Sequence, residues 1–115
     1  MSEIRIEPND LNAERAVLGA CALSRDALIE VSDILKPEDF YSPDYNAFYR
    51  LILNMYFSGK PTDIASILTE MTDKDLYERL GGQPFIAEIV QNVSTASAGY
   101  YAEKIKEKAL RRKLI

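Results

Sequence analysis

The stretch SPDYNAFYRLILNMYFSGKP, residues 42–61, most constrains what this chain can fold into. Ser42 offers a hydroxyl that can accept from free backbone N–H groups, Pro43 has φ already set for a first helical position, and Asp44 places negative charge in the first turn. Gly59 followed by Pro61 is an equally clear stop, because glycine accepts the left-handed turn after a helix and proline cannot continue one. Between these signals Tyr45, Phe48, Tyr49, Ile52, Met55 and Tyr56 recur at helical spacing. Leu51, Leu53 and Phe57 widen that stripe until it covers most of the circumference, so the pattern predicts a central helix.

The remaining punctuation is also helical, and nothing sustained alternates with period two. IRIE is too short to be more than an extended arm. Asn9 or Asp10 can cap a first helix with Glu14 in or near its first turn; Leu11, Val17, Leu18, Ala20, Cys21 and Ala22 form its apolar side, with residues small enough to admit a close neighbour. Ser24 can cap a second helix carrying Leu28, Val31, Ile34 and Leu35, which Lys36-Pro37 ends. PEDFYSP then connects, with Phe40 and Tyr41 expected to fold back onto the core. Thr62 or Asp63 starts another helix, and Thr72 with Asp75 three residues on resembles a capping box for DKDLYERL. Gly81-Gly82 breaks the chain before QPFIAEIVQNV. The short connector STAS leads to the last helix, which should pack antiparallel on its predecessor as a hairpin. The expected fold is all-α: a compact bundle of about six helices over 1–82, followed by a C-terminal helical hairpin over 83–115.

A chain of 115 residues is one domain's worth, and 47% apolar with 28% charged residues is a globular composition. No apolar run approaches the ~18 residues that cross a bilayer, and the N-terminus lacks a signal-peptide layout, so the expected compartment is the cytosol. The lone Cys21 can make neither an internal disulfide nor a cysteine metal site, and it reads as a small core residue. Histidine is absent, which removes the usual general base and metal ligand. No GxxxxGK loop, GxGxxG, HExxH or CxxC occurs. The carboxylate pairs Glu38/Asp39 and Asp73/Asp75 fall at helix starts and read as caps. No catalytic or metal-binding residue is therefore assigned.

Charge is unevenly spread: residues 1–103 hold 17 acidic against 8 basic groups, whereas 104–115 hold one acid and six bases. Lys104, Lys106, Lys108, Arg111, Arg112 and Lys113 are the only electrostatic footprint for nucleic acid or an anionic membrane. At 100° per residue they spread around the helix rather than form a stripe, which favours a solvated face; a membrane surface is disfavoured because no bulky apolar face accompanies them. Tyr41, Tyr45, Tyr49 and Tyr56 lack the interleaved cations of a base-stacking platform and read as core. Tyr100 and Tyr101 read as a helix or subunit contact.

Three segments carry a family likeness: NDLNAERAVLGACAL, LKPEDFYSPDYNAFYRLILNMYFSGKPTDIASI and LGGQPFIAEIVQNVSTASAGYYAEKIKEKALRRKLI. In this order they resemble the N-terminal domain of bacterial replicative DNA helicases of the DnaB type. Asn12 in place of a usual Glu, Phe85 in place of a usual Tyr, and STASAG in place of an Ala-Asn-bearing turn depart from the family pattern and bear on partner choice, not on fold. The resemblance implies a non-catalytic domain that pairs through its C-terminal hairpin into a trimer-of-dimers collar. It also implies contact with the C-terminal domain of primase, with a helicase loader as a further candidate partner. ATP, Mg and most DNA contact are expected in a RecA-like ATPase domain, and no cofactor in this fragment. The implied setting is the cytoplasmic, nucleoid-associated replisome.

Carried over by position, the hairpin is Pro84 to Val93 with Ala98 to Ile115, and Phe85, Ile86, Ile89, Tyr101, Ile105 and Ala109 are the self-association or partner-binding candidates. Some of these must instead hold the two helices together. The alternative function is a stand-alone DNA-binding or helicase-accessory module using the basic last helix. Leu110 to Ile115 is expected to be the loosest part of the fold, a helix tip without a cap.

Overall fold

Helices begin where side-chain oxygens can meet free N–H groups. Ala13 N donates to Asp10 Oδ1 at 3.0 Å, Ala27 N to Ser24 Oγ at 3.1 Å, Tyr45 N to Ser42 Oγ at 3.2 Å and Ser66 N to Asp63 Oδ2 at 3.3 Å. Each bond satisfies one of the orphan donors of a first turn. In the computed structural model, which describes residues 6–115, these caps open α1 (Leu11–Leu23), α2 (Arg25–Ser32), α3 (Pro43–Phe57) and α4 (Ile64–Asp73). α5 (Tyr77–Leu80), α6 (Gln83–Val90) and α7 (Ala98–Lys113) complete the fold, with single 3₁₀ turns at Pro37–Asp39 and Thr95–Ser97. The expected all-α class is observed, and no strand occurs among the described residues. Of the extended arm expected at IRIE, Ile4 and Arg5 lie outside the described residues.

α3 ends as its sequence predicts. Gly59 has φ of 76°, Lys60 N reaches Met55 O at 2.9 Å and Gly59 N reaches Tyr56 O at 3.1 Å, the paired bonds of a Schellman turn. The expected capping box at Thr72 does not form. The Thr72 hydroxyl turns back to Leu68 O at 3.0 Å inside α4, and Asp75 takes the left-handed position that closes that helix, with φ of 59°. Leu76 N then bonds Met71 O at 2.7 Å. A hydroxyl inside a helix can bond its own preceding turn as readily as it can cap a new one.

The central element is α1, not α3. α1 packs against α2, α3, α4, α6 and α7, and its Ala13, Val17, Leu18, Ala20, Cys21 and Ala22 are all buried. α3 buries Phe48, Tyr49 and Ile52 against this hub but leaves Phe57 73% exposed. Phe40 folds inward as expected, whereas Tyr41 stays at the surface. The pairing of α6 with α7 is a second correction. Both pack chiefly on α1 rather than on each other, so 83–115 belongs to the same core as 1–82. A short link predicts proximity, but two helices that each bury their apolar side on a third need not pack on one another.

Gly19 makes that arrangement possible. A β-carbon there would collide with the main-chain oxygen of Ile89 and with Val93 Cγ2, so α6 approaches α1 as closely as only glycine permits. At Gly99, by contrast, an added β-carbon would meet only the flexible carboxylate of Glu30. Gly19→Ala should destabilise the fold by about 1–3 kcal/mol in denaturant unfolding, because backbone must move. Gly99→Ala should be neutral or slightly stabilising, because Glu30 can swing away and alanine favours helix.

Candidate protein-interaction surface

The basic last helix is docked onto the acidic body. Asp39, 2% exposed, accepts from Lys36 N at 2.8 Å and from Lys106 Nζ at 3.0 Å. Arg112 Nη2 donates to Asp39 O at 2.6 Å, its Nη1 donates to Pro8 O at 2.7 Å, and the guanidinium lies 5.5 Å from the centre of the Tyr41 ring. Arg111 pairs with Glu107 one turn back at 2.9 Å. The helix runs on to Lys113. Arg112 ties the last turn to two main-chain carbonyls, while Leu110, Leu114 and Ile115 are exposed.

Glu14 is the second buried carboxylate. It is 1% exposed, and it accepts from Tyr41 N at 2.8 Å and from Ser42 N at 3.2 Å. Burial raises its pKa above the ordinary 4.5, against the two backbone bonds and the nearby Arg112 charge, which lower it. Its sequence position suggested favourable placement near a helix dipole; in the fold it holds the connector that starts α3.

The six candidate residues divide. Phe85, Ile86, Ile89, Ile105 and Ala109 are all buried within this chain, whereas Tyr101 is half-buried. Phe85 meets Phe48 edge-on at 5.5 Å and lies 6.1 Å from Tyr45. Its remaining edge lines a surface cleft of about 340 Å³ with Leu11, Tyr45, Leu80 and Pro84. Tyr101 is half-buried, in edge contact with Tyr100 at 5.4 Å. Sequence reasoning did not single out the outward stripe of α7. At 100° per residue, Tyr100, Glu103, Glu107, Leu110 and Leu114 fall within about 80° of one another, and all are exposed. The inward stripe of Ala98, Ala102, Ile105 and Ala109 was the signal that could have located it, since the opposite side must face out.

Other candidates take structural roles. Tyr49 OH donates to Leu35 O at 2.9 Å, and burial pushes that phenol up. Arg25 stacks 5.0 Å over Tyr56. Burial pushes the Cys21 thiol up to about 12, which keeps it protonated and inert. No group of three or more metal-ligating side chains occurs among the described residues. The surface offers a partner shape, apolar spots and charge.

The sequence and fold are shared with known proteins. Residues 6–107 match the family model described as the DnaB-like helicase N terminal domain. The replicative DNA helicase DnaB of Mycobacterium leprae is 41% identical over 96% of this chain and 18% of its own length. The replicative DNA helicase DnaC of Bacillus subtilis is 37% identical over 96% of this chain and 25% of its own length. The chain thus spans about a fifth to a quarter of these relatives. Among solved structures, the N-terminal domain of Mycobacterium tuberculosis DnaB helicase superposes with a TM-score of 0.89 at 41% identity, covering 95% of this chain and 80% of that one. The N-terminal domain of Helicobacter pylori DnaB helicase, described together with its interactions with primase, gives 0.74 at 27% identity, covering 90% and 80%.

Glu14→Gln should destabilise the fold by about 1–3 kcal/mol, because an amide cannot accept from both Tyr41 and Ser42 as a carboxylate does. A raised folded-state pKa means that the native state holds the Glu14 proton more tightly than the unfolded chain. That contribution to stability is complete below pH 4.5 and is lost as pH rises through the folded value. The stability advantage of the unmodified chain over Glu14→Gln should therefore be larger at pH 4.5 than at pH 7 in urea titrations. Arg112→Ala should raise amide exchange over 110–113 relative to Phe48 and Ile52; unchanged protection there would mean that the two carbonyl bonds do not hold the tip.

Proposed function

The chain belongs to the DnaB-like helicase N-terminal domain family, and from that premise we propose that it serves a bacterial replicative helicase as a collar and interaction domain. In this role it joins subunits of a ring into dimers and a trimer of dimers, and it recruits the C-terminal domain of primase. The single observation that carries the reading is the agreement of family, sequence and fold over nearly the whole chain. The primase role draws on the Helicobacter pylori domain, which was studied with primase. Two surfaces suit such work: the cleft at Phe85, where a partner side chain could enter between Leu11, Leu80 and Pro84, and the outward stripe of α7. A few well-packed apolar anchors of this kind can carry most of an interface's affinity.

ATP hydrolysis, Mg binding and most DNA contact belong in this proposal to a RecA-like domain of a longer protein. A helicase loader is a further partner of the same collar, and the setting is the replisome in the cytoplasm. No helix among the described residues is long and apolar enough to cross a membrane.

The alternative, direct DNA binding by α7, is weakened by one observation. Lys106 and Arg112 are engaged with Asp39, Pro8 and Tyr41, and Arg111 is paired with Glu107. Titrating the cognate primase C-terminal domain into this domain by calorimetry should give saturable binding. No heat and no co-elution at several hundred micromolar would overturn the primase role. Leu110→Glu with Leu114→Glu should abolish any dimer seen by sedimentation without changing the circular dichroism spectrum. DNA binding at low salt with a log-log salt slope near −0.9 per phosphate contact would instead favour the alternative.

A further inference from the structure

A groove separate from both of these surfaces lies between α3 and the end of α4. Asn46, Arg50, Leu51 and Asn54 form its α3 wall, and Lys74 and Leu76 its other wall, around a volume of about 390 Å³. It shares no residue with the Phe85 cleft or with α7. The α3 residues stand on one face because 46, 50 and 54 are one turn apart each, with Leu51 beside Arg50. The opposite wall is set by backbone. Asp75 sits at φ of 59°, and Leu76 N bonds Met71 O at 2.7 Å, so the left-handed turn after α4 carries Lys74 and Leu76 back toward α3. A non-glycine residue at positive φ is mildly strained, and here the strain shapes a groove wall.

The polar groups at its rim are uncommitted. Arg50 and Lys74 have no carboxylate within 4.0 Å among the described residues, whereas Glu70, the one acid in the lining, is already held by Lys60 at 3.2 Å. The groove thus carries positive charge on a body whose first 103 residues have 17 acidic against 8 basic groups. Asn46 and Asn54 make no side-chain hydrogen bond to a described residue. They lie eight residues apart along α3, about 12 Å, which is the span of roughly four residues of extended peptide.

We propose that this groove binds a short acidic segment of a partner protein in extended form. An aliphatic or aromatic side chain of the segment lies on half-buried Leu76 and on the small edge of Leu51, 6% exposed, that reaches the groove. A carboxylate before or after it takes the Arg50 guanidinium, which can bond both oxygens at once, and Lys74 supplies a second, nondirectional charge. Asn46 and Asn54 bond the segment's main chain at either end, since each side-chain amide is both a donor and an acceptor. The partner is recognised by this chemistry: one apolar anchor flanked by acids. Because the groove lies apart from the Phe85 cleft and α7, such a segment binds alongside a partner held on those surfaces.

The test uses this domain labelled with ¹⁵N and three probes: the hexapeptide Asp-Glu-Leu-Phe-Asp-Asp with blocked ends, its counterpart with every acid replaced by lysine, and a single-stranded oligonucleotide. The acidic peptide should shift the side-chain amides of Asn46 and Asn54 and the backbone amides of 50, 51, 74 and 76. It should bind at least tenfold more weakly after Arg50→Glu with Lys74→Glu, and more weakly at high salt. Arg50 and Lys74 are exposed, so the double variant should keep its fold, and its unchanged circular dichroism spectrum checks this. Absence of shifts at millimolar peptide, equal shifts with the lysine peptide, or shifts confined to α7 would overturn the proposal. Stronger shifts of the same groove amides with the oligonucleotide would overturn the peptide assignment in favour of nucleic acid. None of these outcomes depends on primase binding, so the two readings stand or fall separately.

Discussion

The close contact between α1 and α6 at Gly19 is the constraint on which the other packing depends. Interaxial distance follows the size of the side chains at the contact, and α1 presents mostly Ala, Gly and Cys to its neighbours. Five helices can therefore gather around one 13-residue rod. Bulkier residues there would move α6 outward, withdraw Phe85 from Phe48 and Tyr45, and open the cleft that those rings close. α7 also packs on α1, so its placement is set by the hub rather than by α6.

Two buried carboxylates then fasten the connector between α2 and α3. Burying a charge is unfavourable unless hydrogen bonds and opposite charges replace its water, and at Glu14 they do so only in part, since burial still raises its pKa. Glu14 receives two backbone N–H groups in the field of Arg112, and Asp39 receives one N–H and the Lys106 ammonium. Arg112 closes the arrangement by bonding the carbonyl of Asp39 and that of Pro8. The acidic body and the basic last helix, which look like an imbalance along the chain, are partly a pair of complementary surfaces within it.

That use of charge shapes the functional reading. Lys106, Arg111 and Arg112 have partners within the domain, and the outward stripe of Tyr100, Leu110 and Leu114 lies among carboxylates, which is the pattern behind the proposal of a protein partner rather than DNA. In the proposed role, the cleft at Phe85, the stripe on α7 and the groove between α3 and α4 are the surfaces that would meet partners. Separate rigid surfaces allow several partners to be held at once, and tethering raises their effective concentration in a larger assembly.

Much of this was legible in the chain. The caps at Asp10, Ser24, Ser42 and Asp63 and the Gly59 stop are local chemistry, settled within four residues, and periodicity separated apolar from polar faces. The all-helical class and the family likeness rest on such local signals. Which apolar face meets which is a different kind of fact. Sequence ranked α3 as central because its apolar face is widest, yet close packing favoured the narrower, smaller residues of α1. It joined α6 to α7 because the link is short, yet both bind the hub. It grouped Phe85, Ile86, Ile89, Tyr101, Ile105 and Ala109 as one set, and only the three-dimensional arrangement separated the residues that hold the chain together from those that reach its surface. Helix ends are determined by neighbours in sequence; burial, ion pairing and grooves are determined by neighbours in space: the small residues of α1 announce that a close neighbour fits, but only the fold decides that it is α6 at Gly19.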